Sequence, residues 1–372
     1  MRRIAAGLAA AVAVAACGHD IDPFVPAAPP AMTGALKPNA LLGRAEIFAA
    51  GQLRGPEDAA VDAKGRIYVS SVADGKVRRI EPRGMGRATI EVFADLGPGA
   101  TAGMKWDSAG NLLACHSPRG LVAIDADGRH RLLTAEARGQ PIRSCNDLEV
   151  AKNGLIFFTD SSRRWYGHES GGDWRREFLE ARPNGRLLVH DPRTNRTRVL
   201  VDPMYFPNGV ALSQDESFLL VAETFLYRIL RYWLAGPKAG TIEVFADNLP
   251  GFPDGITADG AGLFWVAMNA QRSHVVDWLQ SKTWLKDGLA SLPADLWSQP
   301  ERYGLVVAID ETGRAVQSLH DPSGHIHGTS NVVPVGEWLY LATLAGDYVA
   351  RVKRPPLPAK QMPPQPPPRA RP

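Results

Sequence analysis

Short runs rich in β-branched and aromatic residues recur along this chain, each set off by a polar turn. Six segments share one pattern: a short strand, a turn containing Gly or Asp, then a β-rich strand such as Ile67-Tyr68-Val69. They are GPEDAAVDAKGRIYVSS from Gly55, TAGMKWDSAGNLLACHS from Thr101, SCNDLEVAKNGLIFFTDSS from Ser144, FPNGVALSQDESFLLVAET from Phe206, FPDGITADGAGLFWVAM from Phe252 and GTSNVVPVGEWLYLATL from Gly328. Each reads as a hairpin. A third strand follows at Lys76–Ile80, Arg186–His190 and Tyr227–Trp233, and a fourth at Ile90–Ala94, Arg198–Val201 and Ile242–Ala246. Four strands repeating about every 45 residues predict propeller blades. The expected fold is therefore all-β, a six-bladed β-propeller of four-stranded blades with small helical insertions.

The ring is expected to close on itself. Outer-strand text such as IEVFAD precedes the inner strand of a following blade, and RAEIFA at Arg44–Ala49 matches it ahead of the first blade. The last repeat ends after its third strand, near Val352, so an N-terminal outer strand completes the sixth blade and removes the free edges. Two insertions interrupt the period, around 163–184 in blade three and 270–303 in blade five. The second contains HVVDWLQSKTWLKDGLASL, whose apolar spacing suits an amphipathic helix, either packed on the propeller or with an exposed apolar face that caps the mouth of the ring or rests on lipid.

The ends differ in composition from the middle. Residues 1–17 combine Arg2 and Arg3 with an apolar run ending Val14-Ala15-Ala16-Cys17, which reads as a lipoprotein signal peptide with Cys17 as the lipidated residue. Gly18 then favours outer-membrane placement, so the expectation is a bacterial cell envelope protein held by a lipid anchor. Residues 18–43 read as a Pro/Ala-rich spacer, 44–354 as the propeller, and 355–372, with nine prolines and no acid, as a disordered tail. The formal charge of +3 is too small for a nucleic-acid partner, and no basic stripe appears. Because Arg2, Arg3, Lys360, Arg369 and Arg371 lie outside 18–354, that stretch carries −2. Cys115 and Cys145 remain as the two cysteines an oxidising compartment would allow to pair.

Placing the six repeats in register puts Glu57, Ala102, Asn146, Asn208, Asp254 and Thr329 at one position, the start of the innermost strand. Equivalent positions around a ring converge on its axis. Glu57, Asn146, Asn208 and Asp254 supply two anionic and two neutral oxygen donors, a set suited to calcium rather than to zinc. Without a cation, two buried carboxylates in one channel repel.

The strings GPEDAAVDAKGRIYVSS, CNDLEVAKNGLIFFTDSS, FPNGVALSQDESFLLVAET, YRILRYWLAGPKAGTIEVFADNLPGFPDGI and YGLVVAID resemble the strictosidine synthase-like proteins. That group includes the adipocyte plasma membrane-associated proteins, within a wider superfamily of gluconolactonases and paraoxonases. The resemblance implies a six-bladed propeller and, in hydrolytic members, a calcium ion held by a Glu, Asn, Asn, Asp set that falls on Glu57, Asn146, Asn208 and Asp254. A Pictet–Spengler synthase would need a last-blade glutamate, but no acid occurs between Gly324 and Val335. Of a paraoxonase-type histidine pair only His116 has a match, since the other position falls near Ala102.

The expected chemistry is calcium-dependent hydrolysis of a small-molecule lactone or aryl ester. Asp254 is the expected base or nucleophile, and His116, with His325 and His327 behind it, a proton-transfer residue. The competing expectation is a non-catalytic, calcium-stabilised binding propeller. No GxSxG elbow, Walker loop or HExxH helix is present.

Overall fold

A computed structural model of the protein describes residues 21–84, 88–165, 174–293 and 300–356. Cys17 and the 1–17 segment lie outside the described residues, as does the tail from 357 onward. Six four-stranded antiparallel sheets form the body. From the axis outward, blade one is Pro56–Val61, Ile67–Ser71, Lys76–Pro82 and Ala88–Asp95. Blade two is Ala100–Trp106, Leu112–Ser117, Gly120–Ile124 and His130–Thr134, and blade three is Cys145–Val150, Ile156–Asp160, Gly185–Asp191 and Arg196–Met204. Blade four is Pro207–Leu212, Phe218–Glu223, Arg228–Trp233 and Ile242–Ala246, and blade five is Gly251–Ala258, Leu263–Gln271, Gly304–Asp310 and Ala315–Asp321.

The sixth blade is assembled from both ends of the domain. Thr329–Val335, Trp338–Thr343 and Val349–Lys353 are completed by Glu46–Phe48, with Glu46, Ile47 and Phe48 opposite Arg351, Ala350 and Val349. This is the closure expected of RAEIFA, and it leaves the ring without an open seam.

The second strand of each blade is buried on both faces, because it packs against two neighbouring blades at once. Its side chains alternate between the two seams. Leu112 and Ala114 join Tyr68 and Val77 of blade one, whereas Leu113 and Cys115 join Leu148 and Phe158 of blade three. Six such apolar clusters fill the spaces between adjacent blades. Cys115 and Cys145 form a disulfide across the seam between blades two and three, with Cα atoms 4.9 Å apart.

Both insertions carry helix. The first holds α1, Trp174–Glu180, and the second holds α2, His274–Gln280, and α3, Thr283–Ala290. The second is thus two short helices rather than one. The break falls at Lys282, whose backbone (φ −108°, ψ 76°) is not helical. Both insertions join the second strand of a blade to its third. The second strand ends where the inner strand begins, as the pairings Cys145 with Asp160 and Gly251 with Gln271 show. The helices therefore rise from the face of the ring at which the inner strands start.

Residues 21–43, expected to be a spacer, lie fastened to the propeller instead. The Asp22 amide donates to the Glu180 carbonyl at 2.9 Å and the Phe24 amide to the Gln280 carbonyl at 3.1 Å, tying α1 to α2. Fully buried Lys286 of α3 donates from Nζ to the Asp22 carbonyl at 2.9 Å and to Gln280 Oε1 at 3.2 Å. Farther on, Arg272 donates to the Ala27 carbonyl and Asn39 Nδ2 to the Ser318 carbonyl, and Leu42 enters the core between blades five and six. Its Pro/Ala-rich composition hid this strap, because main-chain hydrogen bonds hold most of it.

Candidate metal centre

Every inner strand slips register at the same point. In blade one, Pro56 pairs with Ser71 and Ala59 with Val69, so three residues on the inner strand oppose two on its neighbour. The same irregularity follows Thr101, Cys145, Pro207, Pro253 and Thr329. A bulge of this kind turns a side chain out of the ladder, and bulges are common beside functional sites. Here the turned residues are Glu57, Ala102, Asn146, Asn208, Asp254 and Ser330. The sixth ring position is therefore Ser330, not Thr329, which instead donates its hydroxyl to the Met268 and Leu305 carbonyls.

The four oxygen donors are held where water scarcely reaches. Glu57, Asn208 and Asp254 are buried, at 8%, 5% and 5% exposure. Glu57 Oε2, Asn146 Oδ1 and Asn208 Oδ1 are buried oxygens with no hydrogen-bond partner among the described residues. Buried polar atoms are seldom left so. Asp254 is the exception in the ring: Asn269 Nδ2 donates to its Oδ2 at 3.1 Å, and the Asn208 side chain donates to the same carboxylate. Asn208 thus orients Asp254 with its amide nitrogen and leaves its own oxygen free. Burial, then the negative charges of Asp254, Asp58 and Asp147, pushes the Glu57 carboxyl well above the usual range. Burial likewise pushes Asp254 up to about 7, against the two amide hydrogen bonds.

A second layer lies one residue along. The positions after the ring are Asp58, Gly103, Asp147, Gly209, Gly255 and Asn331. Asp58 Oδ2 accepts from the Met104 amide of blade two at 2.5 Å, and Asp147 Oδ2 from the Val210 amide of blade four at 3.0 Å. Asn331 donates to Asp58 from blade six. The glycines make room: a Cβ on Gly103 would stand 2.4 Å from Asp147 Oδ1 and 2.7 Å from Asp147 Cα. Burial raises Asp58 to about 6 and Asp147 to about 8, partly offset by Lys105, which pairs with Glu149 at 3.5 Å. Four buried carboxylates thus surround one axis with a single nearby lysine among the described residues. Glu57-Asp58 and Asn146-Asp147 stand in register in the sequence, so the repeat carries a signal of this layer too. Asn269 had no such signal.

His116 lies elsewhere. It is fully buried on the blade-one side of its strand, and a Cβ on Gly75 or Gly99 would come within 3.2 Å of its Nε2. Burial pushes its pKa down to about 4, against the Gly97 backbone, and the charges that act on it are Arg119 and His130. His116 packs against the Gly75 and Gly99 turns between blades one and two, and no hydrogen bond joins its ring to any of the four ring donors among the described residues. His325 and His327 sit in the loop before blade six, where the Tyr348 hydroxyl donates to the His325 carbonyl at 2.8 Å and accepts from the His327 amide at 3.3 Å.

Residues 146–237 match the Strictosidine synthase family, and residues 34–80 match the Strictosidine synthase-like, N-terminal region. The adipocyte plasma membrane-associated protein of Danio rerio is 33% identical over 348 residues, spanning 87% of this chain and 81% of its own. The chain belongs to the strictosidine synthase-like family. Protein STRICTOSIDINE SYNTHASE-LIKE 13 of Arabidopsis thaliana is 31% identical over 336 residues, with 82% and 79% covered. Among solved structures, a gluconolactonase from Xanthomonas campestris superposes with a TM-score of 0.60 at 22% identity, covering 92% of this chain and 98% of the other. A calcium-binding regucalcin from Agrobacterium tumefaciens gives 0.56 at 17% identity, with 82% and 92% covered. Both share the strictosidine synthase-like protein's fold.

These relatives overturn the expected location. The relatives matched over most of their length include animal adipocyte plasma membrane-associated proteins and a plant protein, not bacterial envelope lipoproteins. A four-residue motif at the end of an apolar run carries little information, whereas the similarity to these relatives extends over most of the chain. Among the described residues no helix is long and apolar enough to cross a membrane.

Proposed function

We propose that this strictosidine synthase-like chain is a calcium-dependent hydrolase of lactones or aryl esters. The observation that supports the reading is the set of unpartnered buried oxygens on Glu57, Asn146 and Asn208, at equivalent bulges and beside an Asp254 already held by amides. Hard oxygen donors on four separate strands fit calcium. A bound calcium ion supplies Lewis acidity toward a substrate carbonyl and lowers the pKa of a coordinated water.

The chain's own residues do the rest. Glu57 contributes charge, while Asn146 and Asn208 contribute neutral oxygens that leave the net charge of the site low. Asn208 and Asn269 fix the plane of the Asp254 carboxylate, so that one group accepts a proton from water or attacks the carbonyl directly. The seams between blades exclude bulk water from beneath the site, which strengthens each of these interactions. His116, sealed between blades, has no part in the proposal. Neither has a Pictet–Spengler route, for the last-blade position is Ser330, whose hydroxyl donates to the Glu57 carbonyl at 2.6 Å.

The test is a panel of lactones and aryl esters assayed on the purified full chain with calcium and with EDTA. Turnover is expected with calcium, lost in EDTA and restored on re-addition. Asp254→Asn is expected to lower kcat/KM roughly a hundredfold or more. A calcium-saturated protein that turns over nothing in the panel replaces this reading with a calcium-stabilised binding propeller.

A further inference from the structure

Half of the large apolar side chains exposed among the described residues gather on one structural unit. They are Trp174 of α1, Val275 and Trp278 of α2, Trp284 of α3, and Val25 of the strap that ties these helices together, each between 48% and 77% exposed. Val275 and Trp278 are three residues apart and share one helix face. The other exposed apolar residues belong to strands, four of them on outer strands of blades one, two and four. A soluble surface rarely collects three tryptophans without a partner.

The charges beside the exposed rings are basic. Arg175 lies over the Trp174 ring at 5.0 Å, Arg176 over Trp165 at 5.1 Å, and Lys282 Nζ 5.8 Å from the Trp278 ring. The acidic side chains of the same helices are engaged or hidden. Glu177 and Glu180 are buried, Asp277 is bound by Arg272 at 2.8 Å, and Asp287 has a partner. Exposed tryptophans flanked by arginine and lysine, with the acids of these helices and Asp22 of the strap all engaged or buried among the described residues, match the anionic headgroup layer of a bilayer.

We infer that the α1–α3 face is a docking surface for an anionic phospholipid bilayer, which it meets without spanning. Because the insertions leave the ring at the end where Glu57 and Asp254 stand, docking turns the candidate metal centre toward the lipid. The inference rests on the helices alone and holds whether or not the site hydrolyses anything.

The experiment is vesicle co-sedimentation of the full chain, read together with tryptophan emission, on phosphatidylcholine with and without phosphatidylserine. The wild type is expected to bind the anionic vesicles more tightly and to shift its emission to the blue. Trp278→Ser with Trp284→Ser is expected to weaken binding at least tenfold on both lipids. Arg175→Glu with Arg176→Glu is expected to weaken it about tenfold on anionic vesicles only. All these residues are partly or wholly exposed, so an unchanged melting temperature confirms folding. The apolar stretch before Cys17 is common to every variant and cancels. The inference is overturned if the wild type ignores both vesicles, or if both double variants bind as it does. It is also overturned if the tryptophan variants merely convert a dimer to a monomer, which would make a second copy the occupant.

Discussion

On the proposed reading calcium and protons compete for one cluster of buried carboxylates, and the melting temperature should record it. Asp58, Asp254 and Asp147 have pKa values raised to about 6, 7 and 8, chiefly by burial. The metal-free folded chain therefore binds protons more tightly than the unfolded chain does. That contribution is present below the ordinary carboxylate range and is lost as pH rises through about 6 to 8. For Asp254 alone, two pH units of the window correspond to roughly 3 kcal/mol. In a domain of this size that is on the order of 5 °C. His116 and His320, both held neutral with pKa near 4 by burial, act with the opposite sign below pH 6.5. They are unchanged by calcium, so the quantity to read is the difference in melting temperature between calcium and EDTA. Differential scanning fluorimetry at pH 5, 6, 7 and 8 should show that difference widening by several degrees toward pH 8. A difference that stays constant or narrows would refute the assignment of these carboxylates to a cation site.

Two substitutions test the frame around the site. Phe48→Ala empties a fully packed position on the closing strand beside Ile67, Ile80 and Val349, and should cost about 3–5 kcal/mol by calorimetry; a loss under 1 kcal/mol would mean that the strand does not close the ring. Gly103→Ala drives a methyl into the Asp147 backbone and should lower both the melting temperature and calcium affinity by isothermal titration, whereas the exposed turn change Gly110→Ala should leave calcium affinity alone.

The repeat was legible because each blade must make the same hairpin, and the candidate ligands were legible because they share one register. The sixth position slipped by one residue, to Ser330, because the last hairpin is closed by Gly336 and Glu337 alone, Val335 pairing with Trp338, whereas blade one turns over residues 62–66, so a count back from the turn misses the ring residue. Helix α1 went unassigned since WRREFLE is only about two turns, too short for periodicity to speak. The strap was read as a spacer because it is held by main-chain hydrogen bonds, to which composition is blind. Asn269 escaped for a related reason: it orients Asp254 from a neighbouring strand fifteen residues away, at no repeat-defined position.

The sixth blade also sets an order of events during synthesis. Glu46–Phe48 leaves the ribosome long before Val349–Lys353, the strand it must pair with. At the usual elongation rates of about 5–20 residues per second, the wait is roughly 15–60 s. Throughout it five blades can condense around the axis, yet none offers the arriving strand its proper neighbour. A three-residue strand carrying Glu46 is a poor template for any other edge in the meantime, which suits it to being made first and used last.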